Sequence, residues 1–402
     1  MIFSNTISPD TNSPTIISDT DLLSLRTAFQ KTAAHFDQSG QFPHENIAAL
    51  RQAGLIQLVA PSPFGHGATL SQARKVIETI AYAEPATALV LTMTYLNHRQ
   101  LSRPDNQWPK TIREQVLQSA RHGGLINALR VEPELGSPAR GGLPDTTARK
   151  QDNGWLLSGQ KVFCTGSPAL EWMAVWAKTD EEKPRTGTFL VHRPSVDKGL
   201  SIVENWNHMG LRASGSHLVI FDNVKLAPSH AIDLRLPEEW AASGTSHTDL
   251  GQNRDQQAWM IVLLSTLYDA VARAARDWLL DFLRNRTPSS LGAPLSTVPR
   301  IQEQVGRIES LLHTNKVILD HLTQQTDQNT PGSPSESGLA KYIVTNNAIQ
   351  AVEQALSLCG NHGLSRNNPL ERHYRDVLCS RIHTPQNDSV LVMAGRTALA
   401  TV

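Results

Sequence analysis

Cys359, His362, His373, Cys379 and His383 fall within 25 residues of one another. Thiolate and imidazole are ligand types that zinc takes, but structural zinc sites usually draw paired ligands from short knuckles, and these spacings match no such pattern. Separate core and surface residues around a turn is the better reading, and no metal is expected. The same stretch carries a different chemistry. Cys359-Gly360-Asn361-His362-Gly363-Leu364 sets two glycines at a helix end. Without a Cβ, backbone N–H groups there can approach a diphosphate closely. Such a pair also serves as an ordinary helix C-cap. Other phosphate and nucleophile signals are lacking: no glycine-rich strand–turn–helix, no glycine-rich loop ending in Lys-Ser or Lys-Thr, and no serine in nucleophile-elbow spacing.

The chain around these residues has 402 positions and 44.1 kDa, with 37 Lys+Arg against 37 Asp+Glu and a formal net charge of zero. Zero net charge offers no electrostatic footprint for nucleic-acid phosphates or anionic lipid, so neither is an expected partner. Charged residues make up 18%, below the usual ~25%. Such a chain has much surface to bury, in a large core or between subunits, and general disorder is excluded. Three scattered cysteines suit a reducing compartment. Residues 1–20 are polar and lack the basic start and apolar stretch of a signal peptide. The most apolar run, residues 258–275, is interrupted by Ser265, Asp269 and Arg273, so no membrane span is expected. A soluble cytoplasmic protein is the expectation.

Periodicity divides the chain into a polar N-terminus (1–20), a helical domain (21–124), a β domain (125–235), a linker (236–255) and a second helical domain (256–402). Within the middle part, short β-branched or aromatic runs occupy 125–129, 146–149, 155–157, 161–164, 172–177, 188–192, 200–203 and 217–224. Asn153-Gly154 between two of them is a hairpin signal. A compact antiparallel β-barrel domain is expected there. Helical segments at 256–285, 299–321, 338–358 and 371–401 predict a four-helix bundle. The connector 323–337, rich in Gln, Thr, Pro and Ser, predicts an exposed loop. The fold class is thus α+β and multidomain, in the order α, β, α.

On that plan the chain resembles the acyl-CoA dehydrogenase superfamily of flavoproteins. The resemblance rests on seven fragments in order. Arg51-Gln52-Ala53-Gly54-Leu55, with Pro61 and Phe64-Gly65, is similar to the N-terminal helical domain. Glu132-Pro133 with Gly136-Ser137, then Thr146-Thr147-Ala148, resembles the entry to the β domain. Gly159-Gln160-Lys161-Val162-Phe163-Cys164-Thr165-Gly166 resembles the flavin strand. Met209-Gly210-Leu211-Arg212-Ala213-Ser214 and Phe221-Asp222-Asn223-Val224 resemble the exit. Gly360 to Asp376, with Pro369, Glu371-Arg372 and Arg375-Asp376, resembles the C-terminal signature. The resemblance implies a flavin, FAD or alternatively FMN, in a homotetramer or homodimer. It implies that Thr165 bonds flavin N5 and that Phe163 lies on the flavin strand. Glu132, Gly136 and Ser137 would line the ring and substrate. Gly360 and Gly363 would face a neighbouring subunit's diphosphate, with Arg286 and Gln302 contacting FAD across the interface.

The departures are as informative. The dehydrogenases remove a proton with a glutamate shortly after the Arg-Asp pair. Here the corresponding turn reads Thr384-Pro385-Gln386, and the alternative position on the first C-terminal helix reads Trp259-Met260-Ile261-Val262. Pro288-Ser289-Ser290 also stands where an aromatic-glycine pair is expected after Arg286. Ile382-His383-Thr384-Pro385 is similar instead to the turn of the flavin-dependent monooxygenase branch, with Thr384 in place of an aspartate. His98 occupies the place of that branch's second histidine. Such a histidine, with an unperturbed pKa of ~6.5, would supply a proton near neutral pH. His98, His383 and Thr384 are therefore the candidate catalytic positions. Three activities follow: a monooxygenase fed by a separate flavin reductase, an acyl-CoA dehydrogenase with a divergent base, or an inert flavin-binding subunit.

Overall fold

The computed structural model describes residues 17–103, 106–135, 142–242 and 254–400. Five helices come first: α1 (Asp19–Ser39), α2 (His44–Gln52), α3 (Leu70–Ala83), α4 (Pro85–Leu101) and α5 (Lys110–Ala120). Local chemistry sets their ends. Ser18 caps α1 by accepting from the Asp21 N–H, and Gly40 closes it at φ 70°. Thr69 and Gln72 form a reciprocal capping box on α3. Glu84, itself buried, accepts from the Ala86 and Thr87 N–H groups at the start of α4. Of the 17 residues in α4, 13 are buried, so this helix runs through the interior rather than over it.

Eight strands follow: β1 (Leu125–Leu129), β2 (Thr147–Gln151), β3 (Gly154–Cys164), β4 (Leu170–Thr179), β5 (Thr186–His192), β6 (Leu200–Val203), β7 (His217–Leu226) and β8 (Ala231–Arg235). They form one sheet in the order β6-β7-β3-β2-β4-β5-β8, with β1 added beside β4. The hairpin at Asn153-Gly154 is present, pairing Gln151 with Gly154. The two runs expected at 155–157 and 161–164 are a single strand, β3. The purely antiparallel expectation is corrected: β1 and β2 both run parallel to β4, making the sheet mixed. β1 leaves the α5 turn and pairs with residues far along the chain, Leu125 with Leu170 and Leu129 with Val175, a pairing that no local turn signal records.

After a short helix α6 (Pro237–Ala242) come α7 (Arg254–Asn285), α8 (Pro299–Asp327), α9 (Pro334–Cys359), α10 (Leu370–Leu378) and α11 (Asn387–Ala400). The expected last helix is broken in two by the turn carrying His383. The expected loop 323–337 shrinks to six residues, because α8 continues to Asp327 and a Ser333–Glu336 capping box starts α9 early. α7 is long and apolar enough to span a membrane by composition, but 94% of its most apolar window is buried inside the protein. It is a core helix, packing on α3, α4, α8, α9 and α10.

One contact ties helices and sheet together. Arg375 on α10 reaches Asp37 on α1 at 2.6 and 2.8 Å, Glu371 at 2.7 Å, and the Met209 carbonyl at 2.8 Å. The next residue, Asp376, accepts the Leu211 N–H at 2.7 Å. Gly210 lies between those two anchored residues, and a Cβ there would stand 2.3 Å from the Arg375 carbonyl, so only glycine fits. Arg375→Ala is expected to lower the unfolding free energy by ~1.5–3 kcal/mol, because it removes charge-assisted hydrogen bonds from two partly buried carboxylates. Urea denaturation would measure it. Burial raises the Asp376 carboxyl to about 7. A raised folded value means that its stabilising contribution is full at low pH and lost as pH climbs to about 7. Asp376→Asn should flatten the stability profile over that interval.

Candidate active site

At the end of β3 the register against β7 shifts between Lys161 and Cys164. Phe163 takes a left-handed backbone, φ 59°, which a side-chain-bearing residue rarely adopts. The kink turns its ring outward, 54% exposed, near the edges of Trp206 and His208. Those two rings stack on each other at 3.6 Å. Two residues on, Thr165 is buried, its hydroxyl 2.9 Å from the Ser216 hydroxyl, which in turn lies 2.8 Å from that of Ser214. Asn127 on β1 donates to the Thr165 carbonyl at 3.1 Å. An exposed aromatic face beside a fixed hydroxyl suits a flat, heteroatom-edged ring such as a flavin.

Glu132 is held in an ion pair at the entry to the strands. Its carboxylate accepts from Lys161 at 2.6 Å and from the Asp145 and Thr146 N–H groups at 2.6 and 3.0 Å. Both Lys161 and Glu132 are buried. Burial alone would raise the carboxyl, but the bonds from Lys161 and Thr146 outweigh it and hold it below the usual range. This ion pair closes the strand entry. Gly136 and Ser137 lie outside the described residues.

His98 sits on α4 one turn beyond Thr94, whose hydroxyl bonds the Ile126 carbonyl of β1. Its face therefore looks toward β1. The side chain is fully buried and neither ring nitrogen has a protein partner. His383 is partly buried, and its Nδ1 lies 2.6 Å from the Tyr268 hydroxyl on α7. Burial pushes both histidines down to about 4, with the positive charge of Lys341 adding to the effect at His383. Values this low favour the neutral ring at pH 7, with one N–H left to donate. No contact joins the two rings. The His98 turn meets α7 at Gln256 and Trp259, whereas Tyr268 lies nine to twelve residues further along, ~14–18 Å of helical rise.

Thr384 is exposed beside His383. The buried carboxylates among the described residues are Glu84, Glu132, Asp269 and Asp376. All are committed, Asp269 to Arg273 at 2.7 Å and Asn315 at 2.9 Å, the others as described. Underneath the turn, the buried Lys341 ammonium on α9 donates to the His383 and Pro385 carbonyls.

A second group gathers at the far end of the C-terminal helices. Arg286 closes α7, exposed, and its carbonyl accepts from Leu295. Gln302 opens α8 and donates to the Ser296 carbonyl at 3.0 Å. Phe282 contacts His362 at 5.4 Å, bringing the Gly360–Gly363 turn alongside. Gly360 has φ 52° and open space where a Cβ would sit. Gly363 packs so close that a Cβ would meet the Leu356 carbonyl at 2.9 Å. Among the described residues no three His, Cys, Asp or Glu side chains gather as a metal site.

Residues 130–224 match the family described as acyl-CoA dehydrogenase, middle domain, and residues 270–387 match acyl-CoA dehydrogenase, C-terminal domain. The protein named "Putative acyl-CoA dehydrogenase YdbM" from Bacillus subtilis is 35% identical over 366 residues, covering 90% of this chain and 91% of that protein. The chain belongs to the acyl-CoA dehydrogenase family. It is an enzyme of the flavin-dependent oxidoreductase class. The fold is shared with FMN-bound TdsC from Paenibacillus sp. A11-2 (TM-score 0.82, 18% identity, 94% of this chain and 96% of that one). It is shared equally with butyryl-CoA dehydrogenase from Megasphaera elsdenii (TM-score 0.78, 20% identity, 95% and 99%).

Tyr268, Lys341, Ser216, Trp206 and His208 belong to none of the motifs quoted above. The signals were present for two of them: a phenol and an ammonium on helices otherwise buried and apolar each require a polar partner. The role given to Glu132 is open to test. Lys161→Met should cost ~3–5 kcal/mol in thermal or urea unfolding, since it strands a buried carboxylate.

Proposed function

We propose that this chain is a flavin-dependent monooxygenase rather than an α,β-dehydrogenase. One observation carries the reading: at the turn where the dehydrogenases place their base stand Thr384 and a neutral His383, and among the described residues each buried carboxylate is already committed. A threonine hydroxyl does not take a proton from carbon at useful rates near neutral pH.

The residues present fit a flavin. Phe163 would cover the ring and Thr165, steadied by Ser216, would bond its edge. The unpartnered nitrogens of His98 call for a ligand or water, since a buried ring nitrogen is otherwise costly. Gly360, Gly363, Arg286 and Gln302 would hold the diphosphate and adenine of FAD from a neighbouring copy, and an FMN would leave them unused. The chemistry a reduced flavin would supply there is two electrons toward dioxygen, the substrate giving the other two, so that one oxygen atom ends on substrate and the other in water. His383 would orient the oxygen by a hydrogen bond, and His98, set apart from it along α7, would meet the bound ligand at a separate point. Electrons would come from a separate reductase. A homotetramer or homodimer would cover the apolar face of α11, where Leu391, Val392 and Met393 are 46, 52 and 51% exposed.

A dehydrogenase reading has one observation in its favour, the 35% identity to a relative bearing an acyl-CoA dehydrogenase name. Anaerobic addition of butyryl- or octanoyl-CoA to the flavin-loaded protein separates the two. Negligible bleaching is expected, because positioned general-base catalysis supplies typically ~10²–10⁴-fold. Rapid bleaching would reinstate the dehydrogenase. Thr384→Glu is expected to gain bleaching, whereas His383→Ala should keep flavin content and raise hydrogen peroxide release from reduced flavin in air.

A further inference from the structure

We infer that Tyr268 and Lys341 are positioning residues for His383: the phenol fixes the proton on Nε2, and the ammonium fixes the turn that carries the ring. The inference rests on the reading of His383 as the group facing the reacting centre, and it says how this chain prepares that group.

The tautomer follows from satisfaction. Tyr268 is fully buried on α7, and its hydroxyl has one protein partner, the Nδ1 of His383 at 2.6 Å. A buried hydroxyl proton needs an acceptor, so the O–H donates and Nδ1 accepts. The ring proton is then on Nε2, directed away from Tyr268 and toward the exposed side of the turn, where Ile382 is 64% exposed. Tyr268 is not itself the proton source. Burial, with Asp376 and Cys379 nearby, holds its hydroxyl well above the usual phenol range. It works through His383 by holding one of two tautomers.

Lys341 supplies the second constraint. Its ammonium, buried on α9, donates at 3.0 Å to the carbonyls of His383 and Pro385, the two residues flanking Thr384, and at 3.4 Å to Asn387. All three acceptors are neutral oxygens. An unneutralised buried cation is costly, and burial lowers this one to about 8. Its charge opposes a second positive charge on the neighbouring imidazole. The same side chain therefore ties down the backbone of the turn and keeps its histidine neutral. The titratable groups facing this pair are Tyr268 from α7, Lys341 from α9, and Asp376 and Cys379 from α10 and the turn after it.

The test is ¹⁵N NMR of histidine-labelled, flavin-loaded full-length protein, with His383→Asn supplying the assignment. Wild type is expected to show His383 with the proton on Nε2 and no titration near neutral pH. Tyr268→Phe should populate both tautomers while the titration stays low, because burial and Lys341 remain. Lys341→Met should instead move the titration up from about 4 but keep the tautomer, and Lys341→Arg should restore the low value. A wild-type proton on Nδ1, or a Tyr268→Phe spectrum identical to wild type, overturns the assignment. If Lys341→Met does not fold, wild type decides that half: the ¹⁵N shifts of the neutral His383 ring must step as pH crosses about 8 and Lys341 loses its charge, and absence of that step counts against Lys341. Failure of the monooxygenase reading has a separate signature. Spectra as expected, together with unchanged peroxide release in His383→Asn, would leave the positioning role standing and remove the oxygenation role.

Discussion

Arg375 and Asp376 make one junction on which the relative placement of three regions depends. Asp37 from the first helix, the carbonyl and N–H of Met209 and Leu211 from the loop leaving the sheet, and Glu371 from α10 all converge there. Because Arg375 carries a planar fork of donors, it can satisfy two carboxylates and a carbonyl at fixed angles. Lysine could match the charge but not the geometry. The junction is also what delivers the loop 206–211 to the side of Phe163, since Trp206 is bonded to the Leu211 carbonyl. Pull the clasp apart and the aromatic edge of the candidate site loses its backing.

The second constraint is α7, which all the candidate catalytic groups use as a common scale. His98 is placed near its start through Gln256 and Trp259, and His383 further along through Tyr268. A single buried helix thereby sets the separation between two imidazoles from opposite ends of the chain. Any substrate addressing both must span helical turns rather than a single hydrogen bond.

Much of this was legible in the sequence, for identifiable reasons. Helix starts and the β2–β3 hairpin were set by nearby residues, so their types revealed them. The parallel pairing of β1 with β4 was not, because it joins strands without a shared turn. Nor was the break between α10 and α11, where apolar spacing continues through the His383 turn. At the site, Thr384 and His383 could be located by counting from Arg375-Asp376, but their protonation could not. Charge state depends on burial and on Lys341, which lies 42 positions earlier in the chain. Glu132 shows the converse: its motif position was informative, while its partner Lys161 decided that it serves the fold.

Phe163 combines two costs on one residue. A left-handed backbone at a non-glycine position stores ~1–3 kcal/mol, and its ring remains largely open to water. Whatever lies over that ring recovers the second cost and leaves the first in place, so occupancy and folding are one equilibrium. At a ligand concentration of a hundred times Kd, the gain is ~2.7 kcal/mol. That is enough to change the steady-state amount of a marginally stable protein several-fold. By mass action, a ligand on that ring would therefore also act as a stabiliser of the fold.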